Sequence, residues 1–139
     1  MAQPVENLKA AFADLKYEQI DDLKTVYSED VVFIDPFERF SKRNDLLEYF
    51  RRQYEDVIEC RFDYLETVVQ ENQAFVTWVM VLRHKKLASG ATLRLEGCSH
   101  LKFDAEKVIY HRDFYDSNEF IFENIPIIGR GIKWAKSFL

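Results

Sequence analysis

Four glycines, two cysteines and three histidines are all that the 139 residues contain of the types that most often build phosphate loops and metal sites. Gly90, Gly97, Gly129 and Gly131 are too far apart, or too poorly placed, to form a loop whose amides cradle a phosphate. No serine sits in a nucleophile elbow. Cys60 and Cys98 have no redox or ligand spacing, and the histidines are scattered, so neither a metal nor any other cofactor is expected. No basic stripe alternates with aromatics and the net charge is −5, which argues against nucleic acid as a partner. No apolar run is long enough to span a bilayer. The opening Met1-Ala2-Gln3-Pro4-Val5-Glu6 lacks the basic and apolar regions of an export signal. The expectation is a cytoplasmic protein with both cysteines as free, buried thiols.

Apolar surface is plentiful. Hydrophobic residues make up 47% and aromatic residues 15% of the chain, with twelve Phe and seven Tyr, enough to exclude disorder. That length suits one domain, 1–139, with a sizeable core. Rings of this size wall a cavity as readily as they fill one.

The most telling stretch is Tyr27-Ser28-Glu29-Asp30-Val31-Val32-Phe33-Ile34-Asp35-Pro36-Phe37. Val31 to Ile34 reads as strand, being β-branched and aromatic after turn formers. Pro36 removes a donor and biases Asp35 away from helix, so the strand stops there. Asp35 is thereby held at the rim of an apolar core. There it either serves as a general base with a pKa raised by desolvation, or simply caps a turn, as Asp-Pro often does.

Around it, Val5, Leu8, Phe12 and Leu15 recur at helical spacing after Pro4. A second short helix carries Ile20, Leu23 and Tyr27 on one face, with Asp21-Asp22 in its first turn. Phe37 to Arg43 reads as loop. Asn44 is the expected N-cap of a third helix, from Asp45 to about Glu55, with Leu46, Leu47, Phe50 and Tyr54 on its apolar face. The period then changes to that of strands: roughly Cys60 to Val69, Ala74 to Leu82, Ala91 to Phe103 and Lys107 to Tyr115, an antiparallel meander with turns at Glu71-Asn72, Ala88-Ser89-Gly90 and Asp104-Ala105-Glu106. Ala74 to Leu82 is apolar on both faces, which calls for a second cover such as a partner subunit. Helices first and strands afterwards make an α+β fold, with helices packed on one face of a sheet.

This order resembles the nuclear transport factor 2-like superfamily, in its SnoaL-like polyketide cyclase and ketosteroid isomerase branch. The segments that carry the resemblance run from Val26 to Pro36, Leu46 to Phe50, Ser99 to Phe103 and Val108 to Asp113. It implies a cone-shaped, strongly bent antiparallel sheet wrapping three N-terminal helices, a homodimer through the outer sheet face, and an apolar cavity for a small organic ligand. Asp35 matches the general base of the isomerases. Their oxyanion donors are replaced, the helix tyrosine by Ala11 or Phe12 and the strand aspartate by Ser99, which argues against steroid isomerisation. Gly97 and Ser99 likewise replace the Arg-x-Asp of epoxide hydrolases of this fold.

If Ser99 points inward, hairpin pairing turns His111, Asp113 and Tyr115 inward too; a slip of one residue substitutes Tyr110, Arg112 and Phe114. The outward alternative pairs His111 and Asp113 with Arg94 or Lys102 on the surface. Asp113 resembles the late-strand acid/base of the SnoaL-like cyclases. Asp35, His111 and Asp113 are thus the candidate catalytic group, with Tyr115, Ser99, Phe12, Phe33, Phe50, Trp78 and Leu101 as candidate ligand contacts. His84, in the basic turn Arg83-His84-Lys85-Lys86, and His100 read as solvated or interface residues. Beyond about residue 117 a basic amphipathic helix is expected, as a lid, a clamp on the partner or a peripheral membrane contact. Three functions fit: a cofactor-independent proton-transfer enzyme of isomerase, cyclase or lyase type, a non-catalytic carrier or sensor of a small apolar molecule, and an interaction protein with a filled cavity.

Overall fold

A computed structural model describes residues 2–116. The helical extension expected over about 117–139 lies outside the described residues. Helix α1 spans Gln3–Ala13, with Pro4 in its first turn, and buries Pro4, Val5, Leu8 and Phe12. The second helix is a 3₁₀ segment, Tyr17–Thr25, which buries Ile20 and Leu23. It ends where Thr25 Oγ1 donates back to the Asp22 carbonyl at 2.8 Å. Tyr27 therefore does not extend its apolar face; it opens strand β1, Tyr27–Ile34.

Within the expected loop a two-residue strand β2, Arg39–Phe40, pairs back on β1. Helix α2, Arg43–Tyr54, begins one residue before the expected N-cap: Lys42 occupies the cap without a side-chain hydrogen bond, and Asn44 is already helical. The start is fastened instead by Arg43, whose Nη1 donates to the carbonyls of Lys24 and Tyr27, each at 3.2 Å. Three helical segments thus precede strands β3 (Val57–Gln70), β4 (Gln73–His84), β5 (Leu93–Phe103) and β6 (Val108–Tyr115).

All six strands form one sheet in the order β2-β1-β6-β5-β4-β3. The meander from β3 to β6 is antiparallel, as its turns imply. The sheet as a whole is mixed, however, because β1 pairs in parallel with β6, Phe33 beside His111 and Ile34 beside Arg112. Side-chain alternation is blind to strand direction, so an all-antiparallel sheet was the simpler expectation. The parallel pairing matters for function. One step beyond Ile34 and Arg112 the two strands reach Asp35 and Asp113, so their carboxylates lie at the same end of the sheet.

The turns have local causes. Asp104 Oδ1 accepts from the amides of Glu106 and Lys107, both at 2.8 Å. Ala88, Ser89 and Gly90 all have positive φ, at 47°, 56° and 82°. In the basic turn before them Lys85 and Lys86 are exposed, but His84 is not solvated as expected. His84 is 0% exposed, its Nδ1 accepts from the Lys86 amide at 3.0 Å, and Lys86 reaches Asp56 at 3.0 Å. Burial lowers the His84 pKa. His100 is half-buried on the outer sheet face, stacked on Phe75 at 4.3 Å and bonded to Gln73 at 3.0 Å. Of the two free thiols only Cys60 is buried; Cys98 is half-buried on that outer face.

Strand β4 carries apolar residues on both of its sides, as its composition implies. Trp78, Met80 and Leu82 face the cavity, while Val79 and Val81 are already buried on the other side. Asp63 and Glu96 flank Val79 in register, and Arg61 and Arg94 flank Val81. The apolar groups left in solvent on the strands include Val68, Phe75 and Phe114.

Candidate active site

Between the helices and the concave sheet face is a cavity with room for water centres of about 110 Å³. One water centre needs roughly 10–15 Å³, so several waters or a small organic molecule fit. Phe12 from α1, Phe33 from β1, Phe50 from α2 and Trp78 from β4 wall it, with Tyr54, Cys60, Phe62 and Tyr64. Asp35, Ser99, His111, Asp113 and Tyr115 supply most of its polar groups. Every candidate site residue lines this space except Leu101. That residue pairs with Ala74 and His111 and is fully buried in the core, where alternation alone does not distinguish cavity wall from packed interior.

The pairing of β5 with β6 sets Gly97 beside Tyr115, Ser99 beside Asp113 and Leu101 beside His111. The odd-numbered face therefore points inward, and the one-residue slip is not adopted. Tyr110 and Arg112 project from the outer face, against Lys102 and Phe114 respectively.

A chain of hydrogen bonds crosses the sheet. Trp78 Nε1 donates to Ser99 Oγ at 2.9 Å, and Ser99 Oγ donates to Asp113 Oδ1 at 2.5 Å. His111 Nε2 meets the same Oδ1 at 2.6 Å, and His111 Nδ1 meets the Tyr27 hydroxyl at 2.7 Å. Asp113 Oδ2 has no hydrogen bond among the described residues, although the residue lines the cavity. No hydrogen bond joins the Tyr64 hydroxyl to any described residue, and Tyr64 lines the same cavity. Burial, and then the charge of Asp113, push the Tyr64 pKa well up, so it stays a phenol and a donor.

Asp35 is bound differently. Its Oδ1 accepts from the amides of Phe37 and Glu38, both at 2.8 Å, which is the turn cap that Asp-Pro implies. Its Oδ2 accepts from the Tyr49 hydroxyl. Burial nonetheless wins over these three bonds and raises the Asp35 pKa, with the Asp113 charge adding to the rise. Because the folded value lies above the unfolded one, this group adds stability below its unfolded pKa and loses it as pH rises through the folded pKa. Wild-type stability relative to Asp35→Asn is therefore expected to fall as pH climbs from the ordinary carboxylate range. Denaturant melts of both proteins across that range check the sign. In Tyr49→Phe the largest bond that lowers the Asp35 pKa is gone, and a carboxyl ¹³C titration should show it higher still.

Three tyrosines of the site escape a reading of the pattern alone. Tyr27 was hidden by its apparent place on a helix. Tyr49 follows Leu46 by three and so shares its face, a signal that was available. Tyr64 shares the parity of Cys60 and Phe62; directly after it the β3–β4 register shifts between Tyr64 and Thr67, and the facing order changes.

A six-stranded mixed sheet packed on three helical segments, with acids and aromatics lining the space between them, defines the nuclear transport factor 2-like cone. Within that class the chain belongs to the SnoaL-like domain family, which it matches over residues 8–111. No curated protein matches it. Among solved structures, an NTF2-like protein from Burkholderia pseudomallei superposes with a TM-score of 0.73 at 15% identity, over 86% of this chain and 93% of that one. A putative SnoaL-like polyketide cyclase from Shewanella putrefaciens gives 0.71 at 16% identity, over 85% and 90%. An epoxide hydrolase from M. tuberculosis, of the LEH-like kind, gives 0.68 at 16% identity, over 84% and 82%. At these identities the likeness is one of fold. No helix among the described residues is long and apolar enough to cross a membrane.

Proposed function

We propose that this protein is a cofactor-independent acid/base enzyme, of isomerase, cyclase or lyase type, acting on a small apolar molecule held in the cone. The observation that carries the reading is Asp113. One of its oxygens is fixed by Ser99 and His111, while the other has no hydrogen bond among the described residues, in a cavity that Tyr64 also lines. Asp113 Oδ2 takes a proton from a carbon beside a carbonyl. The C–H electron pair moves into the enolate, and the Tyr64 hydroxyl donates to its oxygen. The same proton, returned from Oδ2 to another carbon of the enolate, completes an isomerisation; in a ring closure the enolate carbon bonds to a second carbonyl carbon, whose π pair moves to its oxygen and takes that proton.

His111 turns both nitrogens to protein partners, so in this reading it holds Asp113 rather than the substrate. Asp35, fixed by three donors, shapes the rim. The lining contains no Lys or Arg among the described residues, so an anionic ligand would meet two carboxylates and no fixed cation. The substrate is therefore neutral, with a carbonyl and an acidic C–H. A cavity touching both Asp35 and Asp113 also fits a non-catalytic carrier, and turnover separates the two. Incubation with a panel of small ketones and diketones in D₂O should show catalysed exchange of the α-hydrogens by mass spectrometry. Binding without exchange would leave the carrier reading.

In the same proposal the setting is the reducing cytoplasm, and the protein is a homodimer packed through the outer sheet face around Val68, Phe75 and Phe114. Sedimentation should give a dimer mass, and Phe75→Glu with Phe114→Glu should give a folded monomer.

A further inference from the structure

The Tyr27 side chain is fully buried and lies 84 residues before His111 in sequence, yet its hydroxyl sits 2.7 Å from Nδ1 with the two rings stacked at 5.9 Å. Phe12 and Phe33 close the other sides of the imidazole, at 6.4 and 4.9 Å between centroids. Among the described residues the hydroxyl has no other hydrogen-bond partner. A buried phenol proton without an acceptor is costly, so it goes to the one lone pair in reach. Burial drives the Tyr27 pKa far up, which keeps that proton on the oxygen.

We infer that Tyr27 is a positioning residue that fixes the tautomer of His111: by donating to Nδ1 it confines the ring proton to Nε2, where it is donated to Asp113 Oδ1. The opposite tautomer, with the proton on Nδ1, would present a lone pair to Oδ1. Asp113 would then have to carry the proton itself and would be spent as a base. Tyr27 thus keeps Asp113 Oδ1 as the acceptor of the His111 Nε2 proton from a distance, without touching the cavity; it is absent from the lining. This rests on the reading of Asp113 as the base, but its test needs no substrate, so the two can fail separately.

The test is the ¹⁵N spectrum of His111 in uniformly labelled protein at neutral pH. Wild type should show a pyrrole-type Nε2 and a pyridine-type Nδ1 shifted by a strong hydrogen bond. In Tyr27→Phe that shift should be lost, and the share of the Nδ1–H form should rise about fivefold, the worth of one net hydrogen bond. In Asp113→Asn the Nε2–H tautomer should persist, because Tyr27 still enforces it. A wild-type imidazolium or Nδ1–H ring overturns the inference even if a variant fails to fold. So does an unchanged Nδ1 signal in Tyr27→Phe, or loss of the tautomer in Asp113→Asn.

Discussion

Asp113→Asn should lower kcat by about two to four orders of magnitude, the usual contribution of a positioned general base, with KM little changed. Asparagine keeps the shape of the side chain, and its carbonyl oxygen can still accept from Ser99 and His111. The cavity is then intact and only the basic oxygen is missing. Asp35→Asn should cost much less, since all the bonds to Asp35 come from the turn and from Tyr49. Measuring kcat and KM of both variants on whichever ketone exchanges decides between the two acids. If Asp35→Asn is the dead enzyme and Asp113→Asn the live one, the assigned roles are reversed. If both keep full turnover, neither acid is the base.

Gly97→Ala should be among the most damaging single methyl groups that can be added to this chain. A Cβ at residue 97 would stand 2.7 Å from Cζ3 of Trp78, and closer still to Cζ2 and Cη2. The indole cannot simply step aside. Its Nε1 is bonded to Ser99, and its ring packs edge-on against Phe62 at 5.2 Å and near Tyr115 at 6.3 Å. Overpacking alone costs about 1–3 kcal/mol, and moving the indole also withdraws the donor behind Ser99. Urea melts should show the loss of stability. Trp78 fluorescence in the native baseline should shift as the ring moves. A variant as stable as wild type, with unchanged fluorescence, would show that the sheet yields at residue 97 instead.

Much of this architecture was legible because its causes are local. The strand before Asp-Pro, the apolar face of α2 and the alternation from Leu93 to Phe103 each follow from a few neighbouring residues. The inward turn of His111 and Asp113 was legible too, since hairpin pairing carries the parity of Ser99 across to β6. What escaped depends on distant partners. Nothing near Tyr27 announces that its hydroxyl meets His111, and nothing near Asp35 says that Tyr49 donates to it. Parallel pairing of β1 with β6 is invisible to any local pattern.

That parallel seam has a kinetic consequence. Strands β3 to β6 are joined by hairpin connections, whereas β1 and β6 pair across the whole intervening chain, so the entropy of closing so large a loop falls on that single pairing. The end of the sheet that carries Asp35 and Asp113 should accordingly be the last part to assemble and the first to open. Amide exchange at Phe33, Ile34 and His111 should run faster than at the β4–β5 ladder, with the two carboxylates parting company while the rest of the sheet still holds.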